Sequence, residues 1–129
     1  ILGFSFKANT NDTRESPAIY ISKKLMEEGA FLKIYDPKVN NKQIELDLKV
    51  YNQKDLNKNW IFCQSIYDVF EGADAAVFIT EWQEFEHLDW LKISKIMIKP
   101  SWIFDTRSIV DIEKVKESNL NIWQVGYGY

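Results

Sequence analysis

Two basic residues, Lys7 and Arg107, each follow a short apolar run and have the chemistry needed to bind a diphosphate. A lysine supplies a compact positive charge, whereas an arginine supplies a planar fork that holds two oxygen atoms at once. If residues 1–6 and 102–105 are the first and fifth strands of a parallel sheet in the order 3-2-1-4-5-6, their ends lie about 10 Å apart. Both side chains can then reach one ligand beyond the carboxyl ends of the strands. The alternative is that each residue forms a surface ion pair or is simply solvated.

The elements that would position these residues follow from the alternation of apolar runs with amphipathic stretches. This pattern predicts an α/β fold, a Rossmann-like doubly wound parallel sheet of about five to six strands with helices on both faces. The 129 residues fit a single domain, 1–129, because domains cluster around roughly 100–150 residues. The predicted strands cover residues 1–6, 31–35, 61–64, 75–80, 102–105 and 121–125. The predicted helices cover residues 17–28, 43–49, 66–71, 88–98 and 111–117.

The first predicted helix has signals at both of its ends. Ser16 suits the N-cap, and Pro17 suits the first helical position, where its missing N–H costs nothing. Gly29 supplies the left-handed residue that commonly follows a helix. With Asp36-Pro37 ending the second strand, these residues predict a βαβ unit at the start of the chain.

The loop after the first strand lacks the glycine pattern of a dinucleotide-binding turn. That pattern is Gly-x-Gly-x-x-Gly, whereas here Gly3 precedes the turn, and Ser5 and Ala8 occupy places where glycine is needed. Asp36, at the end of the second strand, has the position of a ribose-binding acid. Without the glycines, a turn-forming Asp-Pro is the favoured interpretation, and no self-contained NAD site is expected here.

Composition excludes several classes of protein. The net charge is −3, from 16 basic and 19 acidic residues, which argues against a nucleic-acid-binding module with its basic stripe. No apolar run approaches the roughly 18 residues of a membrane-spanning helix. The single Cys63 excludes an internal disulfide and predicts a reducing, cytoplasmic location, and its apolar neighbours predict an inert, buried thiol. Because the chain begins without Met inside a predicted strand, we expect a fragment whose upstream part is missing.

Other residues that suggest chemistry are better explained by structure. His87 is the only histidine, so we expect it to be exposed and to bind no metal. Asp12 and Arg14 flank one residue, as the partners in a turn or helix cap do. No residue of the chain is predicted to be catalytic. Three aromatic side chains are expected to pack in the core or to form a subunit contact: Trp82, Phe85 and Trp90.

Four motifs resemble those of one enzyme family. Residues 3–16 have the sequence GFSFKANTNDTRES, residues 34–37 have IYDP, residues 80–82 have TEW, and residues 104–107 have FDTR. In this order and spacing they resemble the carboxyl-terminal, UDP-binding domain of the UDP-glucose 6-dehydrogenases, within the UDP-glucose/GDP-mannose dehydrogenase family. The resemblance covers nearly the whole chain and is weakest at residues 38–59.

The resemblance implies a domain that binds UDP-glucose or UDP in an NAD-dependent enzyme. Such enzymes oxidise UDP-glucose to UDP-glucuronate in two steps, with two NAD and a cysteine thiohemiacetal. The resemblance implies substrate contacts for Phe6, Lys7 and Arg107, and an NAD contact for Arg14, which replaces the turn interpretation of that residue. At residues 106–108 the sequence Thr-Arg-Ser differs from the Gly-Arg-Arg of many relatives, which keeps the arginine but alters the turn.

The resemblance also implies what the chain lacks. The NAD-binding glycine motif and the glycine-rich motif of the catalytic cysteine do not occur here, and Cys63 does not match the latter. NAD is then bound mainly by an amino-terminal domain, and the chemistry is carried out by a middle region. The chain alone is expected to be inactive. The intact enzyme is expected to be cytoplasmic and a homo-oligomer, at least a dimer, without nucleic-acid or membrane partners.

Three alternatives stay open at this point. The chain can be the corresponding domain of a GDP-mannose or other nucleotide-sugar dehydrogenase. It can be a stand-alone nucleotide- or phosphate-binding module. It can also be an assembly domain, in which Trp82 and Phe85 form a dimer face.

Overall fold

The computed structural model of the chain describes residues 1–50 and 59–127. Its sheet consists of five strands and an opening segment, residues 1–3. The strands are β1 (Leu32–Ile34), β2 (Trp60–Phe62), β3 (Ala75–Phe78), β4 (Trp102–Asp105) and β5 (Asn121–Gln124). The helices are α1 (Pro17–Glu27), α2 (Asn41–Val50), α3 (Trp90–Ile96) and α4 (Ile112–Glu117), with 3₁₀ helices at Ile66–Val69 and Gln83–His87.

The opening segment joins two groups of strands into one parallel sheet. Leu2 bridges to Tyr35, just after β1, and to Phe78 in β3. Its N–H donates to the Val77 carbonyl at 2.8 Å, and the Gly3 N–H donates to the Tyr35 carbonyl at 2.9 Å. Since β1 also pairs with β2, and β4 pairs with both β3 and β5, the order is β2-β1-opening segment-β3-β4-β5. This is the 3-2-1-4-5-6 order of a Rossmann sheet, and it confirms the predicted fold class.

Side chains alternate between two cores, one on each face of the sheet. In β3, Ala76 and Phe78 enter the core formed with α3 and α4, whereas Val77 packs against the core formed with α1 and α2. The strand is therefore covered on both faces, as its continuously apolar sequence predicts. Each large apolar side chain that is fully buried contributes roughly 1.5–3 kcal/mol. The largest such side chains are Phe4, Phe70, Phe78 and Phe85.

The helices begin where the capping residues predict. The Ser16 hydroxyl accepts a hydrogen bond from the Ala18 N–H at 3.2 Å, with Pro17 at the first turn of α1. Asp89 and Asp111 cap α3 and α4 in the same way. Such caps contribute about 0.5–2 kcal/mol each. None of the helices within the described ranges is long and apolar enough to cross a membrane.

Several predicted boundaries differ from the structure by one or more residues, and two of these differences have a clear physical reason. The first strand was predicted over residues 1–6, but its pairing ends at Gly3, because the next two N–H groups donate to the Asp36 carboxylate instead of a neighbouring strand. The helix predicted over residues 88–98 is shorter, because Asp89 caps it, and an unpredicted 3₁₀ helix precedes it. The predicted helix at residues 43–49 is confirmed within α2. The rest of the polar stretch, residues 51–58, lies outside the described residues.

Candidate functional site

The candidate site lies at the carboxyl edge of the sheet, where the opening segment, β3 and β4 end side by side. A polar segment follows each of them. The chain leaves the opening segment toward β1 and leaves β3 toward β4, in opposite directions along the sheet. Ligands of open α/β sheets bind beyond the carboxyl edge at such a switch point. The sheet order therefore places the candidate site between these neighbouring strand ends.

Gly3 allows the opening segment to approach β3 closely. Its φ is +91°, and a Cβ at this position would lie 2.4 Å from the Thr80 Cβ and 2.7 Å from the Thr80 nitrogen. Both the dihedral angle and the lack of space require glycine. Just beyond this contact, the Thr80 hydroxyl donates to the Ser5 carbonyl at 2.8 Å. The loop after Gly3 is therefore fixed against the residues that follow β3.

Asp36 anchors the same loop from the other side. Its carboxylate is buried, and its Oδ2 accepts hydrogen bonds from the N–H groups of Phe4 at 2.7 Å and Ser5 at 3.0 Å. The same oxygen accepts one from the Trp82 indole N–H at 3.2 Å. Its Oδ1 accepts two more, from the backbone of residues 38 and 39. Because protein donors occupy both oxygens, the turn interpretation of Asp36 is confirmed.

The backbone before Lys7 is held, whereas the side chains of Phe6 and Lys7 are exposed. The Phe6 N–H donates to the Asp12 carbonyl at 2.7 Å, and the Ser5 hydroxyl donates to the Lys7 carbonyl at 2.9 Å. Phe6 is 50% exposed, and Lys7 makes no ion pair within the part of the chain that the structure describes. The loop thus presents an aromatic ring and a positive charge on a fixed backbone.

Asp105 fixes the loop that carries Arg107. Its side chain is fully buried, and Oδ1 accepts the Arg107 N–H at 2.9 Å. Oδ2 accepts the N–H groups of Ile109 at 2.9 Å and Val110 at 2.8 Å, and the Gln124 amide at 2.7 Å. A buried carboxylate is tolerated only with such a set of donors. Four hydrogen bonds therefore set the path of the backbone at Arg107.

The Arg107 side chain forms an ion pair with Glu81, which follows β3. The Nη2 and Oε2 atoms are 2.7 Å apart, and the two side chains are 39% and 33% exposed. Beside them, the Thr106 hydroxyl donates to the Phe78 carbonyl at 2.7 Å and ties the β4 loop to β3. Ion pairs with this much solvent contact contribute only about 0–1 kcal/mol. A ligand with several anionic oxygens can therefore compete for the guanidinium.

Sequence reasoning missed both acidic partners of the Arg107 loop. Asp105 had a usable signal, because an aspartate often accepts the N–H of the residue two positions later. Glu81 had none, since its contact with Arg107 exists only through the pairing of β3 with β4. The alternative that Arg107 forms an ion pair is therefore confirmed. Its partner, Glu81, lies at the candidate site, so the ion pair does not exclude a role in ligand binding.

Lys7 and Arg107 follow strands that end at the same edge of the sheet. The opening segment and β4 are separated only by β3, and two strand spacings are about 10 Å. The strand order predicted from the sequence is therefore confirmed. That the two side chains bind one diphosphate stays a prediction.

Comparison with known proteins identifies the family. Residues 1–112 match the model of the UDP-glucose/GDP-mannose dehydrogenase family, UDP binding domain. The chain belongs to this family. The resemblance inferred from the four motifs is thereby confirmed.

The relatives of this UDP-binding domain are much longer proteins. UDP-glucose 6-dehydrogenase of Gallus gallus is 50% identical over 114 residues, which are 86% of this chain and 23% of that protein. The Drosophila melanogaster enzyme is 42% identical over 133 residues, covering 100% of this chain and 28% of that protein. UDP-glucose 6-dehydrogenase 2 of Arabidopsis thaliana is 37% identical over 139 residues, covering 98% of this chain and 29% of that protein. The chain thus spans about a quarter of the length of the curated relatives it matches.

A solved structure shares the fold of the UDP-binding domain. NDP-N-acetyl-D-galactosaminuronic acid dehydrogenase from Methanosarcina mazei Go1 superposes with a TM-score of 0.76 over 97% of this chain and 23% of that chain. At 20% sequence identity, this likeness supports the fold and carries no argument about the ligand.

In the UDP-binding domain, Arg14 is paired with Asp12. The Nη2–Oδ2 distance is 2.7 Å and the Nε–Oδ1 distance is 3.0 Å, while the Arg14 side chain is 88% exposed. These hydrogen bonds lower the pKa of Asp12 to about 2. Asp12 also accepts the Arg14 N–H at 3.0 Å, so the turn considered from the sequence is present. The NAD contact of Arg14 stays a prediction.

The aromatic residues near the candidate site belong to the core of the UDP-binding domain. They are buried and pack among the side chains that α3 and α4 cover: Trp82, Phe85 and Trp90. The packing alternative is confirmed for all three. A dimer face formed by Trp82 and Phe85 is wrong, because both side chains are occupied by the domain's own core.

The surroundings of Cys63 and His87 do not favour a reactive thiolate or a metal site among the described residues. Cys63 is buried, and burial raises the pKa of its thiol, which disfavours the reactive thiolate. The expectation of a buried thiol is confirmed. His87 is exposed, as expected. Across residues 1–50 and 59–127, no group of three or more His, Cys, Asp or Glu side chains is placed to hold a metal ion.

Proposed function

We propose that this chain is the UDP-sugar-binding, carboxyl-terminal domain of an NAD-dependent UDP-glucose 6-dehydrogenase that oxidises UDP-glucose to UDP-glucuronate. Lys7 and Arg107 bind the diphosphate, and Phe6 contacts the nucleotide sugar beside them. The remaining domains of the same enzyme supply the chemistry, and the intact cytoplasmic enzyme is a homo-oligomer, at least a dimer. The domain boundaries are residues 1–129.

One observation carries the proposal: two cations follow strands that end at the same carboxyl edge, each on a backbone held by buried hydrogen bonds. Because the loops are fixed before a ligand arrives, little ordering entropy is lost on binding. The Arg107 fork suits two oxygens of a diphosphate, and Lys7 adds a point charge. The half-exposed ring of Phe6 can pack against a flat or apolar face of the ligand.

The acidic residues around the site do not prevent anion binding. The carboxylates of Asp36 and Asp105 accept hydrogen bonds from backbone, indole and amide N–H donors inside the protein. The negative charges of these two carboxylates are therefore compensated locally by N–H donors of the protein. Among the described residues, Glu81 is the one acidic residue that forms an ion pair with either of the two cations.

NAD does not fit a self-contained site in this chain. After the opening segment, the N–H groups that would cradle a pyrophosphate, those of Phe4 and Ser5, already donate to Asp36. The glycines that would allow close approach are missing from this loop. NAD is therefore bound mainly by another domain, and the exposed Arg14 reaches it across the interdomain cleft. No residue of this chain is catalytic, and we expect the purified chain to produce no NADH.

Four single variants of the intact enzyme test these assignments separately. We expect Lys7→Ala and Arg107→Ala to raise the Kd of UDP about tenfold or more, since a hydrogen bond to a charged group contributes roughly 1.5–3 kcal/mol. Arg14→Ala should raise the KM for NAD and leave UDP binding unchanged. Lys95→Ala, an exposed lysine on α3, is the matched control. Unchanged UDP binding in both Lys7→Ala and Arg107→Ala contradicts the proposed site.

The choice of nucleotide has its own test. The relatives named above are UDP-glucose 6-dehydrogenases, whereas the family also includes GDP-mannose dehydrogenases. Calorimetric titration of the intact enzyme with UDP and with GDP should show tighter binding of UDP. Preference for GDP supports the GDP-mannose alternative, and turnover by the 129-residue chain alone contradicts the division of labour proposed here.

A further inference from the structure

The ion pair between Glu81 and Arg107 has an unusual geometry. The Nη2 and Oε2 atoms are 2.7 Å apart, yet no N–H in the described ranges is aligned with Oε2, and this oxygen is buried. The guanidinium is therefore held near Glu81 by charge rather than by directional hydrogen bonds. Of the five N–H donors that any arginine has, Arg107 therefore keeps some that Glu81 does not bind, on a side chain that is 39% exposed.

Glu81 itself stands on a fixed support. The residue before it, Thr80, is fully buried and donates its hydroxyl to the Ser5 carbonyl. The residue after it, Trp82, is buried and donates its indole N–H to Asp36. The residues on both sides of Glu81 are thus anchored, one by the loop that leads to Lys7 and the other by Asp36, which follows β1.

Arg107, by contrast, has a fixed backbone and a long side chain. Asp105 holds the Arg107 N–H, but the side chain rotates about four bonds, and its one ion pair within the described ranges is with Glu81. Without that partner, the guanidinium has many positions in solvent. Ordering such a side chain on binding costs roughly 0.5–1.5 kcal/mol, about twofold to tenfold in affinity.

We infer that Glu81 is a positioning residue, whose carboxylate holds the Arg107 guanidinium over the carboxyl edge of the sheet so that its N–H donors face the diphosphate. The inference rests on the proposed function. The expected effect of Glu81 on ligand affinity is opposite to that of simple electrostatics, because a negative charge beside an anionic ligand is expected to weaken binding. Here it strengthens binding by ordering the cation.

The test uses Glu81→Gln in the intact enzyme, with UDP as the titrant. Gln keeps the size of the side chain and removes the charge that holds the guanidinium. We expect the Kd of UDP and the KM of the UDP-sugar to rise about twofold to tenfold, with kcat nearly unchanged, since a ground-state contact affects KM. Glu84→Gln is the matched control, because Glu84 follows the same strand and pairs with the Tyr35 hydroxyl rather than with Arg107.

A double-mutant cycle separates positioning from a general structural effect. In the Arg107→Ala background, Glu81→Gln should weaken UDP binding no further, because there is no guanidinium left to hold. Glu81→Asp keeps the charge one methylene farther back, so its loss should be smaller than that of Glu81→Gln, and it provides the comparison if the Gln variant folds poorly.

Two outcomes overturn the inference. One is UDP binding by Glu81→Gln as tight as or tighter than that of the unmodified enzyme. The other is an equal loss with and without Arg107. If Lys7→Ala and Arg107→Ala both leave UDP binding unchanged, the proposed function fails as well. If these two variants bind UDP more weakly and Glu81→Gln does not, only the inference about Glu81 fails, so the two failures are distinguishable.

Discussion

The contact between Gly3 and Thr80 makes a sharp prediction for Gly3→Ala. A methyl group at residue 3 would meet the Thr80 Cβ at 2.4 Å and the Thr80 nitrogen at 2.7 Å, on a backbone with φ of +91°. The left-handed dihedral costs an alanine roughly 1–2 kcal/mol, and forcing atoms into a filled space costs typically 1–3 kcal/mol. Loss of unfolded-state freedom returns about 0.4–1 kcal/mol. We therefore expect a net loss of about 1–5 kcal/mol from a domain stability of roughly 5–15 kcal/mol.

Gly29→Ala is the matched control for this substitution. Gly29 has nearly the same dihedral, φ of +93°, but no atom within 4 Å of the added methyl group. It shares the strain and the unfolded-state effect of Gly3→Ala without the clash. The difference between the two variants, about 1–3 kcal/mol, therefore measures the close approach alone.

Urea unfolding, followed by the fluorescence of buried tryptophans, measures both variants. With a slope of about 1–3 kcal/mol per molar urea, the midpoint of Gly3→Ala should lie about 1 M below that of Gly29→Ala. Equal midpoints would refute the reasoning, because the opening segment would then have room to move away from β3. In that case the position of Lys7 relative to Arg107 would not be fixed either.

Two further predictions concern the acidic residues. Asp105→Asn turns an amide donor toward N–H groups that need an acceptor, so we expect a loss of about 2–3 kcal/mol in urea unfolding. Asp111→Asn at the N-cap of α4 is the control and should change stability little; equal losses contradict the buried network. Since hydrogen bonds from Arg14 lower the folded pKa of Asp12 to about 2, this ion pair adds stability above about pH 4. That stability is lost as the pH falls through about 2. Asp12→Asn lacks the titrating carboxylate, so its stability should not show this loss. The difference between the urea midpoints of the unmodified protein and of Asp12→Asn should therefore shrink from about pH 5 to pH 2, and a constant difference would contradict the prediction.

Local signals predicted the elements of this fold well. Ser16 and Pro17 mark the start of α1 because capping involves only neighbouring backbone groups. The bounds of β4, residues 102–105, were also predicted, since its apolar run ends at a polar turn. The strand order 3-2-1-4-5-6 was assumed for a doubly wound sheet, and the strand pairings with the two bridges of Leu2 confirm it.

Contacts between distant residues could not be predicted in the same way. Gly3 was recognised only as a glycine outside a fingerprint, because the space it needs is set by Thr80, which follows β3 and is distant in sequence. Asp36 was expected to form a turn, and it does, but its bond to the Trp82 indole depends on the packing of three segments. The pairing of Glu81 with Arg107 has the same origin. Sequence patterns place strand ends, whereas side-chain partners across those ends follow from tertiary packing.

A chain with a negative net charge can still bind an anion at the carboxyl edge, because the carboxylates nearest that edge are buried and neutralised by hydrogen bonds. The net charge is −3, yet the two aspartates nearest the strand ends are buried and saturated with N–H donors. These two aspartates stabilise the loops by accepting their backbone N–H groups, and their charge is compensated before a ligand binds. Lys7 has no acidic partner within the described ranges, and Arg107 has one that it shares with solvent. The local field at the carboxyl edge is therefore set by which charges are already compensated, and overall composition is a poor guide to the ligand.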